Sequence, residues 1–404
     1  VLSLNTVGEG DNNLATTIRR SPTMLLARPS ISLASSNPGG FIQSQYDGDA
    51  TMKLNRRDFA RLGASLVAAS LARDAASAME GAPGWDPSIL ENVDPELRSA
   101  ALQMAKTHAV TPPLSDGTLR LARRGEAYPA RPLPDVPARQ LLIPGPKDSP
   151  AVRIFIINDR TDGHRSAILH THGGGFVAGR AAQSVRGLQE MARTLDCVIV
   201  TVDYRVAPET NYAGSTEDNY CALSWLYTNA EQIGVDRKRI AVMGESAGGG
   251  HAALLAIAAR DRGEIPLIYQ CLTYPMLDDR TGNFRRVPPP IGKIGWSVAD
   301  NHYGWRSFLG QAPGTAKVPP RAVPARVASV AGLPPTFIGV GSIDLFVAED
   351  IAYAQRLVDA GVATELVVVP GAFHGFDGFR TKAIAQRFNN IKLDALRRAL
   401  NAAA

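Results

Sequence analysis

Ser246 sits in the stretch VMGESAGGGHAA, residues 242–253, among glycines and directly after a short apolar run. Two chemistries are open to such a segment. A serine held on a strained turn between a strand and a helix can attack a carbonyl carbon. A glycine-rich loop at a helix start can instead cradle a phosphate. The phosphate reading demands particular spacings. A P-loop carries a lysine directly after its last glycine, and a dinucleotide fingerprint reads G-x-G-x-x-G; neither occurs here. GESAG, residues 244–248, follows the strand-like RIAVM and opens the small-residue helical run AGGGHAALLAIAAR. That is the context the G-x-S-x-G nucleophile elbow requires.

A serine hydroxyl is a weak nucleophile at neutral pH. It needs a base, an acid that orients the base, and donors for the developing oxyanion. With this elbow, the chain order is serine, then acid, then histidine. TFIGVGSIDLF places Asp344 just beyond an apolar strand, and ELVVVPGAFHGF places His374 in the loop after the next one. Both fall at strand carboxyl ends, where a parallel sheet presents its site. The other histidines fit less well. His108, His164 and His302 do not follow a strand in that way, and His251 lies in the helix after Ser246, where it reads as a structural residue. Glu349 and Asp350 lie a turn or more into the helix after Asp344, and Glu349 reads as a support for the acid loop.

The oxyanion donors are expected in HTHGGGF, residues 170–176, which follows the strand-like SAIL. Glycines there let backbone N–H groups converge without obstruction. Gly174 and Gly175 are the expected donors, with the N–H of Ala247. Gly173 is expected to set the turn, and His172 to hold the loop by hydrogen bonds.

These residues need a scaffold. Eight apolar runs of strand length recur: RQLLIP, VRIFIIN, SAILHTH, CVIVTVD, RIAVMG, LIYQCLTYP, TFIGVG and ELVVVP. From SAILHTH onward most are separated by helical stretches. Near-continuous apolar strands alternating with helices predict an α/β architecture, a mostly parallel sheet covered on both faces. Between the sixth and seventh runs lies an insertion, about residues 277–330, with a proline cluster and a helical stretch. Its aromatics Trp296, Tyr303, Trp305 and Phe308, with Phe176, are candidates for a substrate pocket. They could equally form the insertion's own core.

The bulk numbers exclude several classes. The chain has 404 residues, 45% hydrophobic and 20% charged, a globular composition. A net charge of +5 without a Lys/Arg stripe argues against a nucleic-acid partner. Cys197, Cys221 and Cys271 are odd in number and lack metal-ligand spacing, so they read as small buried residues, with neither disulfides nor a metal site expected.

Residues 1–51 are rich in Ser, Asn, Gly and Thr and are expected to be a disordered upstream extension. Residues 52–78 carry the parts of an export signal. Arg56 and Arg57 form a basic start, an apolar run spans Leu62 to Ala72, and a small-x-small site falls at Ala76-Ser77-Ala78. The paired arginines resemble a twin-arginine leader, which implies a periplasmic or secreted protein whose natural start is Met52. The apolar run is too short to span a membrane.

HGGGF at 172, DYRVAPE at 203, GESAGG at 244, GSIDLFVAED and GAFHGF occur in order and closely resemble the bacterial hormone-sensitive-lipase (family IV) esterases. The resemblance runs from about residue 95 to the C-terminus. It implies an α/β-hydrolase with an eight-stranded sheet, cap helices in 79–135, and a catalytic domain in 136–404 whose cap is completed by the insertion. It also implies Ser246, Asp344 and His374 as the triad, with no cofactor. The expected substrate is a small ester of short or medium acyl chain. An edge-strand homodimer is implied by the resemblance alone. An acyltransferase with the same triad and a non-catalytic ligand receptor are the rival readings. TNYAG after APE and His251 depart from the family's usual residues.

Overall fold

The computed structural model describes residues 86–124, 130–283 and 287–402. The extension expected at 1–51 and the export signal at 52–78 lie outside the described residues.

Eight strands form one sheet. They are β1 (Ala138–Ile143), β2 (Val152–Ile157), β3 (Arg165–Thr171), β4 (Val198–Asp203), β5 (Val235–Glu245), β6 (Tyr269–Thr273), β7 (Thr336–Gly341) and β8 (Thr364–Val369). Their spatial order is β1-β2-β4-β3-β5-β6-β7-β8. Only β2 breaks the parallel pattern, pairing antiparallel with β1 and β4. β3, β6, β7 and the second half of β5 are central and bury almost every side chain, because helices cover both of their faces.

Among the described residues eight α-helices accompany the sheet: α1 (Arg98–Val110), α2 (Leu119–Ala122), α3 (Ala181–Leu195), α4 (Tyr212–Thr228), α5 (Ala247–Arg262), α6 (Val298–Leu309), α7 (Val347–Asp359) and α8 (Ala383–Ala402). Strand alternation sends successive side chains to opposite faces. Leu169, Val242, Leu272 and Ile338 pack on one face against Leu223 of α4, Leu255 of α5 and Leu357 of α7. Ile168, Ala241, Met243 and Phe337 pack on the other, against Leu188 of α3 and Phe388 and Leu396 of α8.

A third apolar cluster lies over the carboxyl ends of the central strands. It joins Phe176 and Ala247 to Trp305, Phe308, Leu309 and Val323 of the insertion. The insertion is tied down by charge. Asp279, fully buried, accepts from the Gly314 N–H at 2.6 Å and from the Arg326 guanidinium at 3.0 Å. Cys197 and Cys271 are buried as expected, but Cys221 is half-exposed, because its position on α4 turns toward the helix rim. No described helix is long and apolar enough to cross a membrane.

Candidate active site

β5 ends at Glu245 and α5 begins at Ala247, so Ser246 alone makes the turn. Its backbone is at φ 58°, ψ −125°, a strained conformation for a residue with a side chain. Three hydrogen bonds impose it. The Ser246 N–H donates to Thr273 O at 2.9 Å, and its carbonyl accepts from the N–H groups of Gly250 and Met276, each at 3.0 Å. The flanking glycines answer a close approach. A Cβ on Gly244 would stand 2.3 Å from Gly248 O, and one on Gly248 would stand 2.1 Å from Thr171 O.

Ser246 Oγ lies 3.0 Å from His374 Nε2, and His374 Nδ1 lies 2.9 Å from Asp344 Oδ2. The other Asp344 oxygen accepts from the Phe346 N–H at 2.9 Å, which fixes the carboxylate plane. Asp344 is fully buried, while Ser246 and His374 keep a few per cent of their surface exposed. The three residues expected to act together therefore form one hydrogen-bonded chain, although His374 is 128 positions from Ser246 in sequence.

The HGGGF loop lies alongside. A Cβ on Gly173 would stand 3.4 Å from the Ser246 Cβ, which places this loop against Ser246. The turn itself is made at Gly174 (φ 129°), Gly175 (φ 59°) and Phe176 (φ 66°), not at Gly173 as expected, because of the three glycines only Gly174 and Gly175 adopt positive φ. Among the described residues the N–H groups of Gly174 and Gly175 have no backbone acceptor. Ala247 opens α5, where first-turn N–H groups lack intrahelical partners. His172 contributes a hydrogen bond from Nδ1 to Gly173 O at 2.8 Å. Its ring stacks on Tyr204 at 4.2 Å between centroids, and the Tyr204 hydroxyl donates to His172 O at 2.6 Å. Burial, opposed by the hydrogen bond to Gly173, lowers the His172 imidazole to about 4, so the ring is neutral. Tyr204 belongs to DYRVAPE, and its role was visible in the sequence only as part of that motif.

His251 is buried among Phe176, Tyr204 and Phe308, with ring centroids 4.4–5.4 Å away, and neither ring nitrogen has a partner among the described residues. Burial and the neighbouring His172 push its imidazole down to about 3. Glu349 does not support the acid loop as expected. It accepts from the N–H groups of Leu277 and Asp278 at 2.7 and 3.1 Å, because α7 turns it toward the segment after β6.

The aromatic candidates separate. Phe176, Trp305 and Phe308 are fully buried against one another, Phe176 and Phe308 stacking at 4.0 Å, so they pack as core. Tyr303 is buried apart from them, with its hydroxyl donating to Asp116 at 3.0 Å. Trp296 lines a cleft beside the site. A Cβ on Gly175 would collide with its ring at 2.2 Å, and its centroid is 6.5 Å from that of His374. The cleft, of about 540 Å³, is walled by Trp296, Pro112, Pro113, Leu114, Leu121 and Ala122, and reaches the oxyanion loop at Gly174. A larger cleft of about 900 Å³ opens between α3 and α8 and touches Glu245 and Tyr274, but neither Ser246 nor His374. The smaller one is bounded by Gly174 of the glycine loop and by Gly295 and Trp296, which lie against His374, and is the substrate candidate.

The chain belongs to the α/β-hydrolase fold family: the pattern that defines the family matches residues 168–378. Several of its relatives carry the names of esterases. The carboxylesterase NlhH of Mycobacterium tuberculosis is 33% identical over 311 residues, covering 76% of this chain and 90% of that protein. Esterase LipI of the same organism is 32% identical over 271 residues, 66% of this chain and 83% of its own length. The solved bacterial heroin esterase superposes with a TM-score of 0.70 at 35% identity, covering 77% of this chain and 99% of that one. The protein is an esterase of the hormone-sensitive-lipase type, in the serine hydrolase class.

Proposed function

We propose that the protein hydrolyses small carboxylic esters through an acyl-enzyme on Ser246. The hydrogen-bonded chain Ser246–His374–Asp344 carries this reading. As Ser246 Oγ attacks the acyl carbon, His374 Nε2 takes its proton. Asp344 accepts from Nδ1–H, holds that tautomer and stabilises the imidazolium. The carbonyl oxygen becomes an oxyanion stabilised by the N–H groups of Gly174, Gly175 and Ala247. The C–O bond breaks as His374 returns the proton to the departing alkoxide. Water then loses a proton to His374 and attacks the acyl carbon, and the carboxylic acid leaves as Ser246 regains its proton. The apolar cleft closed by Trp296 suits short to medium acyl chains.

Hydrolysis of a p-nitrophenyl ester series by purified protein tests this. Activity is expected to peak at short or medium acyl length. Ser246→Ala is expected to lower kcat by roughly 10³-fold or more without altering the fold. Near-normal turnover by that variant overturns the assignment.

A further inference from the structure

Seven described residues other than glycine have positive φ, and three of them surround the reaction centre: Phe176, Ser246 and Tyr274. Strain of this kind persists only where the surroundings over-determine it, and it clusters at functional sites. Ser246 is the nucleophile of the proposed reaction, and Phe176 closes the oxyanion loop. Tyr274, at φ 35°, has no place in that reaction. It is also buried, and its hydroxyl is fully engaged.

The segment around Tyr274 touches both partners of the proton transfer. Thr273 O accepts from the Ser246 N–H, and the Met276 N–H donates to Ser246 O, so this turn grips both backbone groups of the nucleophile. Between them, the Tyr274 ring lies 4.5 Å from the His374 ring, tilted by 58°. The Tyr274 N–H is anchored to Gly339 O at 2.7 Å on β7, two strands from the nucleophile. Its hydroxyl donates to Asp377 Oδ1 at 2.5 Å, and Asp377 lies three residues beyond His374. The other Asp377 oxygen accepts from Lys392 Nζ at 3.3 Å. Lys392 is itself only 4% exposed and belongs to α8. One strained residue thus packs on the base, is continuous with the turn that holds the nucleophile, and is pinned through its hydroxyl to the loop carrying the base.

We propose that Tyr274 is a positioning residue that sets the spacing of Ser246 and His374, with Asp377 and Lys392 as its anchor. This rests on the reading of His374 as the base. The proton passes between Oγ and Nε2 across 3.0 Å, and misplacements well under the length of that bond are costly to turnover. Nothing in the arrangement puts Tyr274 against the substrate cleft, so its effect falls on the chemical step and not on binding.

The test compares Tyr274→Phe, Asp377→Ala and Asp377→Asn with wild type in p-nitrophenyl acetate hydrolysis. Folding is checked by melting, and turnover is referred to sites titrated with a fluorophosphonate. Tyr274→Phe is expected to lower kcat about tenfold with KM within about twofold, and to slow fluorophosphonate labelling of Ser246 by the same factor. Asp377→Asn, which keeps an acceptor for the hydroxyl, is expected to lose less than Asp377→Ala. The Tyr274→Phe/Asp377→Ala double variant should be no slower than Asp377→Ala alone, because both changes break one interaction. Wild-type kcat and labelling rate in folded Tyr274→Phe overturn the proposal; so does a loss seen mainly in KM, or losses that multiply in the double variant. Ser246→Ala is run in parallel. If it still turns over, the underlying reading has failed; if it is dead while Tyr274→Phe is normal, only the positioning role has.

Discussion

Two buried polar regions flank Ser246, and they are built in opposite ways. On the side toward α3 and α8, charges are held with partners around the buried Lys392. His170 bonds Thr201 and Glu245 at 2.8 and 2.9 Å, and Lys392 pairs with Asp377 at 3.3 Å. Burial alone would raise the Glu245 carboxyl, but His170 and Lys392 outweigh it and hold it below the usual range. Burial would likewise lower the Lys392 ammonium, yet the Asp377 and Glu245 carboxylates hold it above its ordinary value. Beside the oxyanion loop, imidazoles are buried with too few partners. His172 Nε2 and both nitrogens of His251 have none among the described residues, and both rings are driven to the neutral form. Burial therefore has no fixed effect on a titratable group. The partner set decides whether the charged or the neutral form survives.

The comparison can be broken most severely from the charged side. Lys392→Met removes the buried cation that Asp377 and Glu245 share, leaving Asp377 with the Tyr274 hydroxyl and Glu245 with His170. Removing one member of such a pair is expected to cost about 3 kcal/mol, read as a lowered midpoint in urea unfolding at pH 7. A loss below about 0.5 kcal/mol would show that solvent reaching the cleft between α3 and α8 already screens these charges.

The neutral side is tested by acid. In the unfolded chain both histidines titrate near 6.5, whereas folded His172 and His251 titrate at about 4 and about 3. Between those values the unfolded state binds more protons, so stability is complete above about pH 6.5 and declines as pH falls toward the folded values. Each histidine is expected to contribute a slope of roughly 1.4 kcal/mol per pH unit in that window. The smallest effect sharpens the contrast. His251→Leu removes two orphaned nitrogens from an aromatic surround. It is expected to gain about 1 kcal/mol at pH 7 and to remove about half of the acid slope. Urea melts of both proteins from pH 4 to 7.5 measure this; an unchanged slope would mean that His251 finds a partner when protonated.

Much of the site was legible because its parts obey local rules. GESAG announces its turn by glycine spacing, and Asp344 and His374 can each be placed by counting from the end of an apolar run. The eight strands were legible for the same reason, since a sheet covered on both faces demands apolar runs bounded by turns. The aromatics were not. A Trp or Phe at helical spacing has the same sequence whether it lines a cleft or fills a core, so Trp296 and Trp305 could be separated only by their neighbours. Gly173 misled in a related way. Three consecutive glycines do not reveal which of them takes the positive φ.

The residues alone make legible a serine on a glycine-flanked turn, an aspartate and a histidine just past later strand ends, and a glycine-rich loop after an earlier strand. Those follow from backbone sterics and chain order, which are local. Only the tertiary structure decided what surrounds them. That Tyr274 lies against His374, that Lys392 is buried within reach of Asp377 and the charge of Glu245, and that His251 has no hydrogen-bond partner among the described residues each depend on elements far apart in the chain. Packing distance and exclusion of water arise only when α3, α5, α8 and the insertion close on the sheet, and no spacing along the chain encodes them.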